Sequence, residues 1–212
     1  MKHLSRLELE AGLGHIRASP TPDGTLALIV RRPATNERET VGAAVLDAEV
    51  GLIGDNWLVR GSKSPGGLAS IDHQITVMNV RAAALVAADA GRRQLCGDQL
   101  YVDLDLSAER LPAGSLLAIG GEVVLQVSPE PHLGCIKFRE RFGTDVLAFV
   151  NSKVGRAVRL RGLNARIVAG GAVRLGDPVT ALPPADAWPT PAPTLRGDPL
   201  DEPSMFQHNA SG

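Results

Sequence analysis

The sequence predicts a mainly β fold, a barrel of short strands with a few short helices. Three observations predict it. Short apolar runs recur along the chain, glycine pairs separate several of them, and only two stretches carry helical spacing. A chain of 212 residues suits one globular domain. Aromatic residues make up 3% of it, so the core must come mainly from Val, Leu, Ile and Ala.

The first strand is TLALIV, Thr25–Val30. VGLIGDNW, Val50–Trp57, sets two glycines around Leu-Ile before an aspartate and reads as a tight turn. SKSPGGLAS, Ser62–Ser70, has the composition of a flexible loop. Ile75–Asn79 is a strand, and the alanine-rich Val80–Ala90 a helix with Val80, Ala83, Ala84 and Ala87 on one face. In Leu100–Leu106 apolar and polar residues alternate, as in a half-buried strand. Leu116–Ile119 and Glu122–Val127 flank Gly120-Gly121, a hairpin signal. Asp145–Asn151 places Val146, Phe149 and Val150 on one helical face, with Thr144 as N-cap. Beyond it, Val158 and Leu160 alternate with Arg159 and Arg161, which predicts a strand with the arginines on its wet face. Gly170-Gly171 and Gly176-Asp177 break the last runs into strands.

Residues 1–182 therefore form the domain, and 183–212 an extended tail holding seven of the fifteen prolines. Proline removes backbone donors and fixes φ, so this segment joins no sheet interior. Trp188 and Phe206 are its candidate anchors.

No apolar run approaches the roughly 18 residues that span a bilayer, and the N-terminus lacks the apolar stretch of a secretory signal. We expect a cytoplasmic protein with no membrane partner, in which the two cysteines, Cys96 and Cys135, are free thiols. Net charge is −1, unevenly spread. From Cys135 to Arg166 eight cations face two anions, so that stretch carries +6 and the rest of the chain −7. A basic segment in a near-neutral protein points to an anionic cofactor or small-molecule substrate, with phosphate the obvious group. Phe138, Phe142 and Phe149 lie within it, but the overall charge argues against nucleic acid. There is no P-loop and no dinucleotide fingerprint.

Cys135 concentrates the candidate chemistry. It stands in EPHLGCIKF, after Gly134, three residues past His132 and just before Lys137, Arg139 and Arg141. Neighbouring cations favour thiolate, the form that attacks and that binds metals. Gly134 leaves room for a ligand. Persulfide carriage, ligation of a thiophilic metal, and nucleophilic attack with a histidine base drawn from His15 or His73 all fit, beside the plain reading of a small buried hydrophobe. Cys96 reads as buried and structural. A structural zinc needs about four ligands, and His132 with Cys135 makes two.

Taken in order, these motifs resemble the MOSC domain, named for the C-terminal domain of molybdenum-cofactor sulfurases. VGLIGDNW is similar to the family's early Gly-x-x-Gly-Asp motif, and QITVMNVRAAALV to the strand and helix that follow it. GDQLYVDLDLSAERLPAGSLLAIGGEVVLQVSPEPHLGCIKF resembles the central block ending at the family cysteine, and GLNARIVAGGAVRLGDPV the closing hairpin. The likeness covers residues 40–182.

It implies a stand-alone, bacterial-type member with a β-barrel similar to that of pyruvate kinase. Cys135 would be the catalytic residue, carrying sulfur or serving as metal ligand to the molybdenum cofactor. The candidate cofactor-binding residues are Gln74 and Thr76, which would border the pocket, with Lys137, Arg139 and Asn151. Relatives include domains fused to a pyridoxal-phosphate desulfurase and reductases of N-hydroxylated compounds, so a sulfur donor or an electron-transfer protein is an expected partner. A module that only binds an anionic ligand or a partner protein is the alternative. Two positions depart from the pattern. Asn56 stands where many relatives carry arginine after Gly-Asp, and Gly97-Asp98 where cofactor-holding relatives carry arginine. An aspartate there is expected to repel a cofactor phosphate.

Overall fold

The structure is a computed structural model that describes residues 3–61 and 67–184. Trp188, Phe206 and most of the proline-rich tail lie outside the described residues, as does part of the Ser62–Ser70 loop. The strands are β1 (Asp23–Arg31), β2 (Glu39–Val41), β3 (Ala43–Asp47), β4 (Gly51–Leu52), β5 (Ile75–Asn79), β6 (Leu100–Asp103), β7 (Leu116–Ile119), β8 (Val123–Val127), β9 (Leu163–Ala169), β10 (Gly171–Arg174) and β11 (Pro178–Leu182). The helices are α1 (Arg6–Ala11), α2 (Leu13–Arg17), α3 (Trp57–Arg60), α4 (Val80–Ala87), α5 (Ile136–Phe142), α6 (Thr144–Val150) and α7 (Lys153–Ala157).

Seven strands close a barrel in the order β11-β7-β8-β9-β5-β6-β1, with β1 pairing back to β11. Closure leaves no free edge among these seven. β10, β3 and β4 make a small separate sheet. All barrel pairings are antiparallel except β5 with β6. A parallel pair needs a crossover, supplied here by α4 and the 3-10 turn Ala90–Cys96.

The barrel interior is aliphatic. Leu26, Ile29, Val77, Leu100, Val102, Leu117, Leu125, Val127, Ala165 and Val179 meet there with no aromatic residue. The pleat sends the alternate residues Val30, Met78 and Tyr101 outward into a second core under α1, α4, α5 and α6. That layer takes up Phe138, Phe142 and Phe149, so these rings are packing residues and not a stacking surface for bases. β5 is buried at every position because it is covered on both faces, as parallel strands usually are.

Four local expectations change. α4 buries Ala82, Ala83, Val86 and Ala87, which turns its core face by about one residue from the expected one. α6 begins at Thr144 itself, with Gly143 before it and no side-chain cap. β6 ends at Asp103, short of the expected Leu106, although the alternation continues past it, with Val102, Leu104 and Leu106 buried and Asp103 and Asp105 half-buried. The stretch 158–162 is a turn, not a strand: Arg159 has φ of 48°, and Gly162 has φ of 91°. A Cβ at Gly162 would stand 2.2 Å from the Val77 carbonyl oxygen, so only glycine lets the chain pass β5 on its way into β9.

Asn79 joins the two layers. Its Oδ1 accepts from the Arg81 and Ala82 amides that open α4, while its Nδ2 donates to Ser19 Oγ and the Leu104 carbonyl, each at 2.8 Å. Removing it leaves several buried groups unpaired, each costing about 1–3 kcal/mol. Asn79→Ala is expected to lower stability by about 3 kcal/mol, read as a shifted urea midpoint at unchanged slope.

Candidate functional site

One end of the barrel carries a cavity of about 520 Å³. The end of β1 and its following loop bring Arg32, Asn36 and Arg38 to it. α3 brings Arg60, β5 brings Thr76, and α5 brings Lys137, Phe138 and Arg141. His73, His132, Cys135, Arg161 and Asn164 complete the wall. Among the described residues, five arginines and a lysine therefore share a lining that contains no carboxylate.

Two carboxylates stand behind it, and each is spent on one arginine. Asp55, from the Gly-x-x-Gly-Asp turn, receives Arg32 Nε at 2.7 Å and Arg32 Nη2 at 2.9 Å. It also accepts from the Trp57 amide that starts α3. Asp98 is fully buried and holds Arg161 Nη1 at 2.5 Å. The guanidinium of Arg161 lies over the Phe138 ring, 4.9 Å from its centroid. Arg161 is thus buried, not on a wet strand face, and Arg159 is tied to the Leu106 and Leu111 carbonyls. The expected repulsion from Asp98 is offset, since the carboxylate stands behind the lining and pairs with Arg161.

The remaining cations crowd one another. Burial, followed by the charges of Arg141 and Arg32, pulls Arg38 below the usual guanidinium range. Burial, followed by Arg32, does the same to Arg60. Arg38 Nε has no hydrogen-bond partner. Like charges held together in a partly desolvated cleft form a ready place for an anion.

Cys135 lies on the edge of this cavity and is exposed. Its backbone precedes α5 directly, and its carbonyl accepts from the Phe138 and Arg139 amides. Asn151 clamps the preceding residue from both sides. Its Oδ1 accepts from the Gly134 amide at 2.9 Å, and its Nδ2 donates to the Gly134 carbonyl at 3.0 Å. A Cβ at Gly134 would stand 2.7 Å from Leu147 and 3.0 Å from Val150. That glycine therefore makes room for α6, not for a ligand. Cys96 is the opposite kind of thiol: buried, and pushed up to about 12 by burial and then by Asp98.

Of the residues expected at the site, Cys135, Lys137 and Thr76 meet in the cavity. Thr76 also shares its hydroxyl with the Gln99 side chain at 2.8 Å. Gln74 is a buried strut away from the lining: its Nε2 donates to the Ala48 carbonyl and its Oε1 accepts from the Ile167 amide. Asn151 acts on the Cys135 loop without lining the cavity, and Arg139 is exposed outside it. Arg32, Arg38 and Arg60 escaped the sequence reading. The basic stretch after Cys135 drew attention to one segment, whereas half of the cavity's cations arrive from two others. The arginine that ends the apolar run of β1 was the available signal.

His132 lines the cavity with 15% of its side chain exposed. Its Nδ1 lies 3.3 Å from Asp98 Oδ1, off the line of a hydrogen bond, and neither atom has another partner. Burial, then Arg161, Arg32 and His73, hold its pKa well below the usual imidazole value, so the ring is neutral near pH 7. Among the described residues no group of three or more His, Cys, Asp or Glu side chains is placed to hold a metal ion. No described helix is long and apolar enough to cross a membrane.

Known structures share this architecture. The YuaD protein of Bacillus subtilis superposes with a TM-score of 0.59 at 16% identity, over 75% of this chain and 95% of that one. YiiM from Escherichia coli gives 0.50 at 20% identity, over 76% of this chain and 71% of that one. YiiM from Geobacillus stearothermophilus gives 0.51 at 17% identity, over 76% of each. No family model and no curated protein sequence matches the chain. Identities this low speak for the fold alone. The fold they share with this chain is a mainly β barrel with a few short helices, as the sequence predicts.

Two outcomes follow from the thiols and from His132. A thiol reagent should titrate Cys135 rapidly in the native protein and Cys96 only after unfolding, with no rapid phase in Cys135→Ser. Below the ordinary imidazole value of 6.5 the unfolded chain binds a proton that the folded ring refuses. The contribution is therefore complete above that pH and lost as pH falls. Urea midpoints should drop from about pH 6.5 to about pH 5, and His132→Gln should flatten that drop.

Proposed function

We propose that this protein binds a phosphate-bearing cofactor, the molybdenum cofactor, in the arginine-lined cavity, with Cys135 as the thiol that ligates the metal or carries sulfur. One observation supports the reading above all others: an exposed cysteine on the rim of a cavity with five arginines, one lysine and no carboxylate among the described residues of its lining.

The residues fit such a group. Among the described residues Arg38, Arg60, Arg141 and Lys137 have no carboxylate to neutralise them, so they would hold the phosphate by charge-assisted bonds. Arg32 and Arg161 are already neutralised and would shape the floor. A metal that arrives within its own cofactor needs little more than one soft ligand, which a thiolate supplies. Asn151 and the Gly134 backbone would keep that sulfur in one place. When bound, the cofactor would supply two-electron chemistry such as the reduction of an N-hydroxylated compound. The exposed rim residues Leu133 and Ile136 beside Cys135 leave access for a sulfur donor or an electron-transfer protein.

The test is the metal and pterin content of protein purified from a host that makes molybdenum cofactor, for wild type and Cys135→Ser. Molybdenum with pterin in wild type, and loss of the metal in the variant, is the expected result. Absence of both from wild type would overturn cofactor binding, and a persulfide on Cys135 would then identify sulfur carriage.

A further inference from the structure

We propose that His132 makes this cavity selective for ligands that present a hydrogen-bond donor, an O–H or N–H, alongside their negative charge. The inference rests on the anionic-ligand reading above.

The lining is chemically one-sided. Guanidinium and ammonium groups donate and cannot accept, so they bind any oxyanion and give no preference among anions of equal charge. His132 is different. Its Nδ1 is sealed from solvent and faces Asp98 Oδ1 at 3.3 Å, and Asp98 is itself fully buried with its other oxygen on Arg161. Burial raises the Asp98 carboxyl above its ordinary value and Arg161 pulls against that; with the guanidinium bonded to its other oxygen we take Asp98 as the carboxylate, which can only accept. A bare Nδ1 would set two lone pairs against each other, so the single proton of the neutral ring belongs on Nδ1. Nε2 is then an acceptor, and the partly exposed ring borders both this cavity and a smaller one beside it. The other charged or titratable groups around the ring, Arg161, Arg32 and His73, all oppose its protonation.

A fully ionised oxyanion therefore brings a lone pair against Nε2, whereas a ligand carrying O–H or N–H completes a bond there. Sites built to pair with a donor discriminate strongly against analogues that lack it.

Hydrogen phosphate and sulfate make the comparison directly. At about pH 8 both carry two charges at similar size, and only phosphate keeps an O–H. Calorimetric titration of the full chain should find phosphate at least about tenfold tighter than sulfate, with the ratio falling to within about threefold in His132→Leu. Ring nitrogen shifts of His132 in the wild type give the tautomer independently of any variant, and a protonated Nδ1 is expected. Equal binding of the two ions, a phosphate preference that survives in His132→Leu, or a protonated Nε2 would each overturn the inference and leave anion binding standing. Binding of neither ion would remove the anionic-ligand reading and this inference with it.

Discussion

Two buried arginine–carboxylate pairs, Arg32 with Asp55 and Arg161 with Asp98, hold the rest of the site in place. Each joins segments far apart in the chain at the same end of the barrel. Arg32 also reaches the Gly97 carbonyl, and Arg161 the Cys96 carbonyl, so both pairs grip the turn that leads into β6. Isolated buried charges are prohibitively costly, and losing one partner of such a pair typically costs about 3–5 kcal/mol. The loops are therefore bound to close over the barrel in one arrangement. That arrangement uses up both carboxylates and leaves the surplus of positive charge facing the cavity.

The barrel supplies rigidity beneath this charge. Its interior is wholly aliphatic, and its second core, outside the barrel, holds the phenylalanines of α5 and α6. Phe138 serves both purposes, since it is buried in that core and carries Arg161 across its face. The position of Cys135 follows from the same packing. α5 is anchored by Phe138 and Phe142, α6 presses on Gly134, and Asn151 ties the glycine backbone from both sides. A thiol with no protein partner of its own is thus displayed from a backbone with little freedom.

The cavity combines two kinds of recognition. The unneutralised cations attract charge over a distance and at any orientation. On the proposed reading, the neutral His132 ring, backed by Asp98, would offer a fixed acceptor at short range. On that reading, charge would set which class of ligand enters, and hydrogen-bond direction which members of that class stay.

Much of the fold was legible locally. Alternation, glycine pairs and short apolar runs located β1, β5, β7, β8 and the closing strands, because strand pleat and turn geometry depend on neighbouring residues. The burial of Cys96 was legible too. The turn at 158–162 was not, since Gly162 is required by the closeness of the Val77 carbonyl, a contact across the chain. The same holds for the site. By itself the sequence determined a barrel-forming pattern, a lone thiol beside glycine and a basic stretch after it. Only the tertiary structure decided that Arg159 and Arg161 are tied down, that Asp98 is hidden behind a guanidinium, that Gln74 is a strut, and that Arg32, Arg38 and Arg60 join Lys137 and Arg141. Pairing of charges depends on distance and burial, and neither is a property of position along the chain.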